Sequence, residues 1–233
     1  MNIDDLKSMV NREIKALRDD LIELKRCQLQ YFSLAITATG AIFGLTATLN
    51  NEFKGFALLA PLAIILPNWV IFFDKATTIT RIVGYQRILE KQMCANEEIY
   101  NLQGYENSLS YFRANEKDAW DKIREEFIKT RPPIRDVFLL KIRHRFWMLN
   151  FYTFGLLSLT CCIGSYILLS NDGTDLYLPL GKGIYFPSTI WAIGALIVYI
   201  FCVVYTWSLV YSLTRGKLSY ECCALKWEKI LRK

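Results

Sequence analysis

Apolar and polar positions are segregated along this chain into two kinds of stretch. Four runs are long, apolar and free of charge: Tyr31–Leu49, Gly55–Phe73, Phe146–Ser170 and Ser188–Leu213. Each matches the ~20 residues that a helix needs to cross a hydrocarbon core of roughly 30 Å. A soluble domain would break such runs with polar positions, because each of its helices keeps a wet face. The predicted fold is therefore all-α: an integral membrane protein with four transmembrane helices.

The remaining stretches alternate at helical spacing. In residues 1–30, Ile3, Leu6, Val10, Ile14, Leu17, Leu21 and Leu24 recur at intervals of three or four, so they form one apolar stripe with charges on the other faces. No Pro or Gly separates this amphipathic segment from the first run, and the two are expected to form one long helix. The stripe needs a partner, either the chain's own middle region or the same helix of another copy. Residues 74–145 read as a helical cytoplasmic domain between helices 2 and 3. Its first helix extends the second run inward and breaks near Gly104. A second helix carries Leu109, Phe112, Ala119, Trp120, Ile123 and Phe127, and Pro132–Pro133 ends it because prolines remove donors and fix φ. Helix is expected again from about Ile134 into the third run. The organisation expected is thus 1–30 amphipathic helix, 31–73 first transmembrane pair, 74–145 cytoplasmic domain, 146–213 second pair and 214–233 basic cytoplasmic tail. The outer loop at 171–187 could form a small hairpin around Gly181–Gly183.

Charge orients this arrangement. All the Lys and Arg residues except Lys54 and Lys182 fall in 1–30, 74–145 or 214–233. Cations are retained on the cytoplasmic side, so both termini and the middle region are expected there, in the plasma (inner) membrane of a bacterium. A secretory signal is not expected, since residues 1–30 are densely charged and no small-residue cleavage site follows. The seven cysteines agree, for none lies in an outer connection, where an oxidising compartment would favour disulfides. Acylation of Cys222 or Cys223 competes with a role as small apolar filler.

Chemistry is sparse. There is one histidine, His144, no phosphate loop, no nucleophile elbow and no zinc-ligand spacing. No catalytic residue, cofactor or metal site is assigned, and an enzyme is not expected. The runs hold no charge, which disfavours an ion pump or proton relay. Two packing features stand out instead. Ser33, Thr37, Gly40 and Gly44 share one face of the first run, and Gly40-x-x-x-Gly44 is a spacing that lets backbones approach closely. That face serves either the second run or another copy. Pro61 and Pro67, followed by Asn68, free backbone carbonyls in the second run and would kink it, as in a pore-lining or hinge helix or, equally, in a static bundle.

The stretch "KTRPPIRDVFLLKIRHRFW" holds Arg131, Arg135, Lys141, Arg143 and Arg145 and ends where the third run begins. Cations there face the anionic inner leaflet at about 1 kcal/mol each. Position favours membrane lipid as their partner over nucleic acid, whose contact through Arg131, Arg135 or Lys141 is the alternative.

The layout of a helix entering two closely joined spans, then Arg81, Ile82, Tyr85 and Glu90 and later Gly104, Tyr105 and Glu106, is similar to small bacterial multi-pass membrane proteins of unassigned function. It resembles the two-span effectors of anti-phage systems such as retrons and nucleotide-signalling systems, and departs from them in having four spans. The resemblance implies a homo-oligomeric effector that permeabilises or depolarises the membrane once triggered by a cytoplasmic protein or ribonucleoprotein. It brings no active site with it. The alternative is a non-toxic scaffold or channel subunit that docks a cytoplasmic partner.

Overall fold

The computed structural model describes residues 3–49, 51–94, 105–130, 145–171 and 189–232, and every regular element among them is an α-helix. In chain order these are α1 (Ile3–Thr46), α2 (Asn51–Ala57), α3 (Leu62–Cys94), α4 (Tyr105–Thr130), α5 (Arg145–Asn171), α6 (Thr189–Thr214) and α7 (Tyr220–Leu231). Four helical stretches are long and apolar enough to cross a membrane, within Ser8–Thr46, Phe53–Lys91, Arg145–Ser170 and Thr189–Thr214. The amphipathic segment and the first run do form one helix, of 44 residues. The expected break near Gly104, the restart at Ile134 and the hairpin within 171–187 fall on residues outside those described.

The chain divides into two compact units. One comprises Met1–Cys27, Asp74–Arg145 and Leu209–Lys233; the other comprises Gln28–Phe73 and Phe146–Ser208. In the first unit the α1 stripe finds its partner within the chain. Val10, Ile14, Leu17 and Leu21 are buried in one cluster with Ile79, Ile82, Tyr85, Ile88 and Leu89 of α3, Leu109 and Phe112 of α4, and Trp227 and Leu231 of α7. The side chains of Ile3 and Leu6 lie outside the described set. Each large apolar side chain so buried is worth about 1.5–3 kcal/mol against exposure, so this seam outweighs any single polar contact around it. The stripe on α4 behaves likewise: Ala119, Ile123 and Phe127 are buried, and the helix stops at Thr130, before the prolines.

The sequence reading leaves 214–233 as a basic tail, and within it the structure places the helix α7. Ser219 is extended and its side chain accepts from the Cys222 N–H, the arrangement that starts a helix by satisfying an orphan donor. α7 then buries Cys222, Cys223, Lys226, Trp227 and Leu231. Its close approach to α3 depends on Gly84, where an added Cβ would lie 2.9 Å from Cys223 Cβ and 3.0 Å from its carbonyl carbon.

The second unit is built on aromatic packing. Trp69, Phe72 and Phe73 of α3 are buried, with Phe154 5.8 Å from Phe72 and 6.2 Å from Trp69 between ring centres. Four polar side chains here find carbonyls at hand, whereas buried Trp69 Nε1 and Ser158 Oγ find no partner among the described residues. Gln28 donates to the Phe72 carbonyl at 2.9 Å, Ser165 to that of Gly55 at 2.8 Å, and Thr39 and Thr206 to carbonyls one turn back on their own helices. By contrast α6 displays Ile197, Phe201 and Val204 at more than 60% exposure. A contiguous apolar surface of this kind suits lipid and is rare on soluble monomers.

Candidate functional site

α1 carries the small-residue face. Ser33, Thr37, Gly40 and Gly44 are all exposed, and a Cβ added at Gly40 or Gly44 would meet nothing within 4 Å among the described residues. The helix packs inside its unit through Ala35, Thr39 and Thr46 instead. Of the two uses open to this face, packing on the second run is therefore not the one found among the described residues. A backbone stripe without bulky side chains is left free to meet another helix closely.

The proline pair is placed differently from expectation. Pro61 does not kink a continuous helix, because the second run is split into α2 and α3 with Pro61 in the turn between them. A proline disfavours helical backbone in the residue before it. The chain accordingly tightens to i→i+3 bonds, Leu59 N–H to Phe56 and Ala60 N–H to Ala57. The Pro61 carbonyl then accepts from Ile64 at 2.9 Å and Ile65 at 2.8 Å, starting α3. Pro67 does lie inside α3, on an exposed face, and Asn68 beside it is buried. These residues do not converge on one surface.

Of the cationic stretch, Arg145 is exposed at the first position of α5. Arg131, Arg135, Lys141 and Arg143 lie outside the described residues. Among the resemblance positions, Ile82 and Tyr85 belong to the core of the first unit, and Tyr105 packs 5.4 Å from Tyr85. Glu90 is exposed and accepts from Gln86 at 2.9 Å. Gly104 and the Glu106 side chain are not among those described.

Sequence reasoning missed a charged cluster in the first unit. Lys226 has no exposed surface, and its ammonium donates to Glu116 Oε1 at 2.7 Å and to the Lys217 carbonyl at 2.9 Å. Glu116 Oε2 also lies 3.8 Å from Arg81 Nη2. Lysine is seldom fully buried unless paired, so nothing in the spacing of α7 pointed to Lys226. Beside it, burial pushes the Cys222 thiol up to about 12 and that of Cys223 to about 11. Both are enclosed, which is the setting of apolar filler and not of an acylated surface thiol. No group of three or more His, Cys, Asp or Glu that could hold a metal ion occurs among the described residues.

Comparison with protein-family models, with characterised proteins and with solved structures finds no match to this chain.

Proposed function

We propose that this chain is a membrane effector of bacterial defence, which assembles with further copies through α1 and depolarises the inner membrane when its polar helical unit is triggered. The single observation that carries the reading is the exposed small-residue face at Ser33, Thr37, Gly40 and Gly44, with open space at both glycines. The uncharged runs and the lipid-suited surface of α6 support a multi-pass membrane location. The confinement of cations to three segments supports cytoplasmic termini. The resemblance to two-span effectors supports the defence role.

The test is membrane potential, read with a voltage-sensitive dye after induction of the wild type or Gly40→Leu, alone and during phage infection. A Cβ at Gly40 meets nothing among the described residues and the position is exposed, so loss of activity in an inserted variant reports on contacts between copies. Collapse with the wild type and not with the inserted variant is the expected result. Equal collapse with both sinks assembly through this face. An intact potential throughout, with a cytosolic protein co-purifying stably, replaces the effector by a non-toxic scaffold or channel subunit.

A further inference from the structure

A cleft of about 480 Å³ opens in the first unit, lined by Trp120, Arg124 and Ile128 of α4 and by Tyr211, Ser212, Arg215, Gly216 and Lys217 at and after the end of α6. Its size falls in the range of small-molecule sites, roughly 300–1,000 Å³. Three of its residues are cationic and none is acidic. Arg215 is only 8% exposed, and its Nε and Nη1 have no hydrogen-bond partner among the described residues. A guanidinium taken out of water without acceptors is costly.

Two ordinary explanations for Arg215 fall short. A cation at a helix C-terminus can satisfy the last carbonyls, but Arg215 Nε and Nη1 bond to none of them. The Tyr211 carbonyl takes the Arg215 N–H at 2.9 Å, and that of Ser212 takes both Gly216 and Leu218 at 3.1 Å. Gly216 permits this tight turn, since a Cβ there would lie 2.7 Å from Ser212 Cα. Ion pairing fails too: Glu116, one turn before Trp120, is engaged by Lys226 and Arg81. The Tyr211 ring centre lies 5.8 Å from the guanidinium carbon. Arg215 thus lines the cleft with no acidic counterpart among the described residues.

We propose that this cleft binds a phosphate group, carried either by a soluble phosphorylated molecule or by the headgroup of an anionic phospholipid. Guanidinium groups suit phosphate because their planar donors match its oxygens. Arg124 and Lys217 add charge for an oxyanion bearing more than one, and Trp120 and Tyr211 supply apolar walls. The site stands apart from assembly through α1 and does not depend on it.

The experiment uses the full chain in a phosphate-free non-ionic detergent. One arm titrates inorganic pyrophosphate by calorimetry, and the other titrates phosphatidylglycerol by native mass spectrometry. Binding in the first arm identifies a soluble ligand, and binding in the second alone identifies a lipid headgroup. Arg215→Gln is expected to weaken binding by about tenfold and Arg124→Gln by about threefold, as loss of a charge-assisted contact does. Arg113→Gln, an exposed change on α4 at a residue that does not line the cleft, leaves it unaltered. Should Arg215→Gln misfold, Arg124→Gln and Lys217→Gln, both at exposed positions, decide the matter. Binding in neither arm, or equal loss in Arg113→Gln, overturns the proposal.

Discussion

Trp227 Nε1 donates to the backbone carbonyl of Arg81 across 3.1 Å, which fastens α7 to the side of α3. The same indole lies 4.3 Å from Phe112 and 4.8 Å from Tyr85 between ring centres, so three helices meet on one side chain.

Removing that side chain should loosen the whole first unit. Trp227→Ala is expected to cost about 3–5 kcal/mol, the usual toll of a large aromatic deleted from a core. Trp227→Phe keeps most of the packing and loses the bond to Arg81, about 1 kcal/mol. Melting followed by circular dichroism in detergent should rank them wild type, Phe, Ala. An unshifted Ala variant contradicts the packing described.

Glycines should divide by their surroundings. Gly84→Ala drives a methyl into the α7 backbone, an overpacking expected to cost about 1–3 kcal/mol. Gly40→Ala meets open space and should leave the melting temperature unchanged or slightly raised. Equal destabilisation by the two would show that the α1 face is already covered within one chain.

The Lys226–Glu116 pair should respond asymmetrically. Glu116→Ala strands an ammonium with no exposed surface, a loss of about 3 kcal/mol by analogy with other broken buried pairs. Lys226→Met is expected to cost roughly half as much, because Glu116 keeps some exposure and the nearby Arg81. A double-mutant cycle on melting temperatures measures the coupling, and additive effects would deny it.

Thiol chemistry offers a further check. With its pKa near 12, Cys222 stays protonated in the folded chain between pH 7 and 9, whereas an ordinary thiol titrates near 9. A hydrophilic maleimide should therefore label partly exposed Cys27 and spare Cys222 and Cys223 until denaturant is added. Peptide mapping by mass spectrometry reads each site. Labelling of Cys222 in the native protein at pH 9 would place α7 elsewhere.

Much of this architecture is written in local patterns. Uncharged runs announce the four apolar helices, and the three-and-four spacing of Val10, Ile14, Leu17 and Leu21 announces a buried face. Periodicity says that a face is covered and is silent about by what. The partner of α1 was therefore open between the chain's own middle region and a second copy. α7 went unread because the six Lys and Arg of 214–233 read as a basic tail, though Cys223, Trp227 and Leu231 recur every four residues behind Ser219. The cleft at Arg215 was beyond reach for a different reason. It joins α4 to the end of α6, about ninety positions apart in sequence, and only packing brings such segments together.

The seam between α1 and α7 also sets an order of events during synthesis. Val10 leaves the ribosome about 200 residues before Trp227 and Leu231, a delay on the order of 10–40 s at 5–20 residues per second. Throughout that interval the α1 stripe lacks two of its neighbours, while the apolar runs emerge for insertion one after another. A nascent chain halted before Ser219 would thus present an uncovered hydrophobic strip beside the ribosome, a mark of incompleteness that proteases and chaperones read readily.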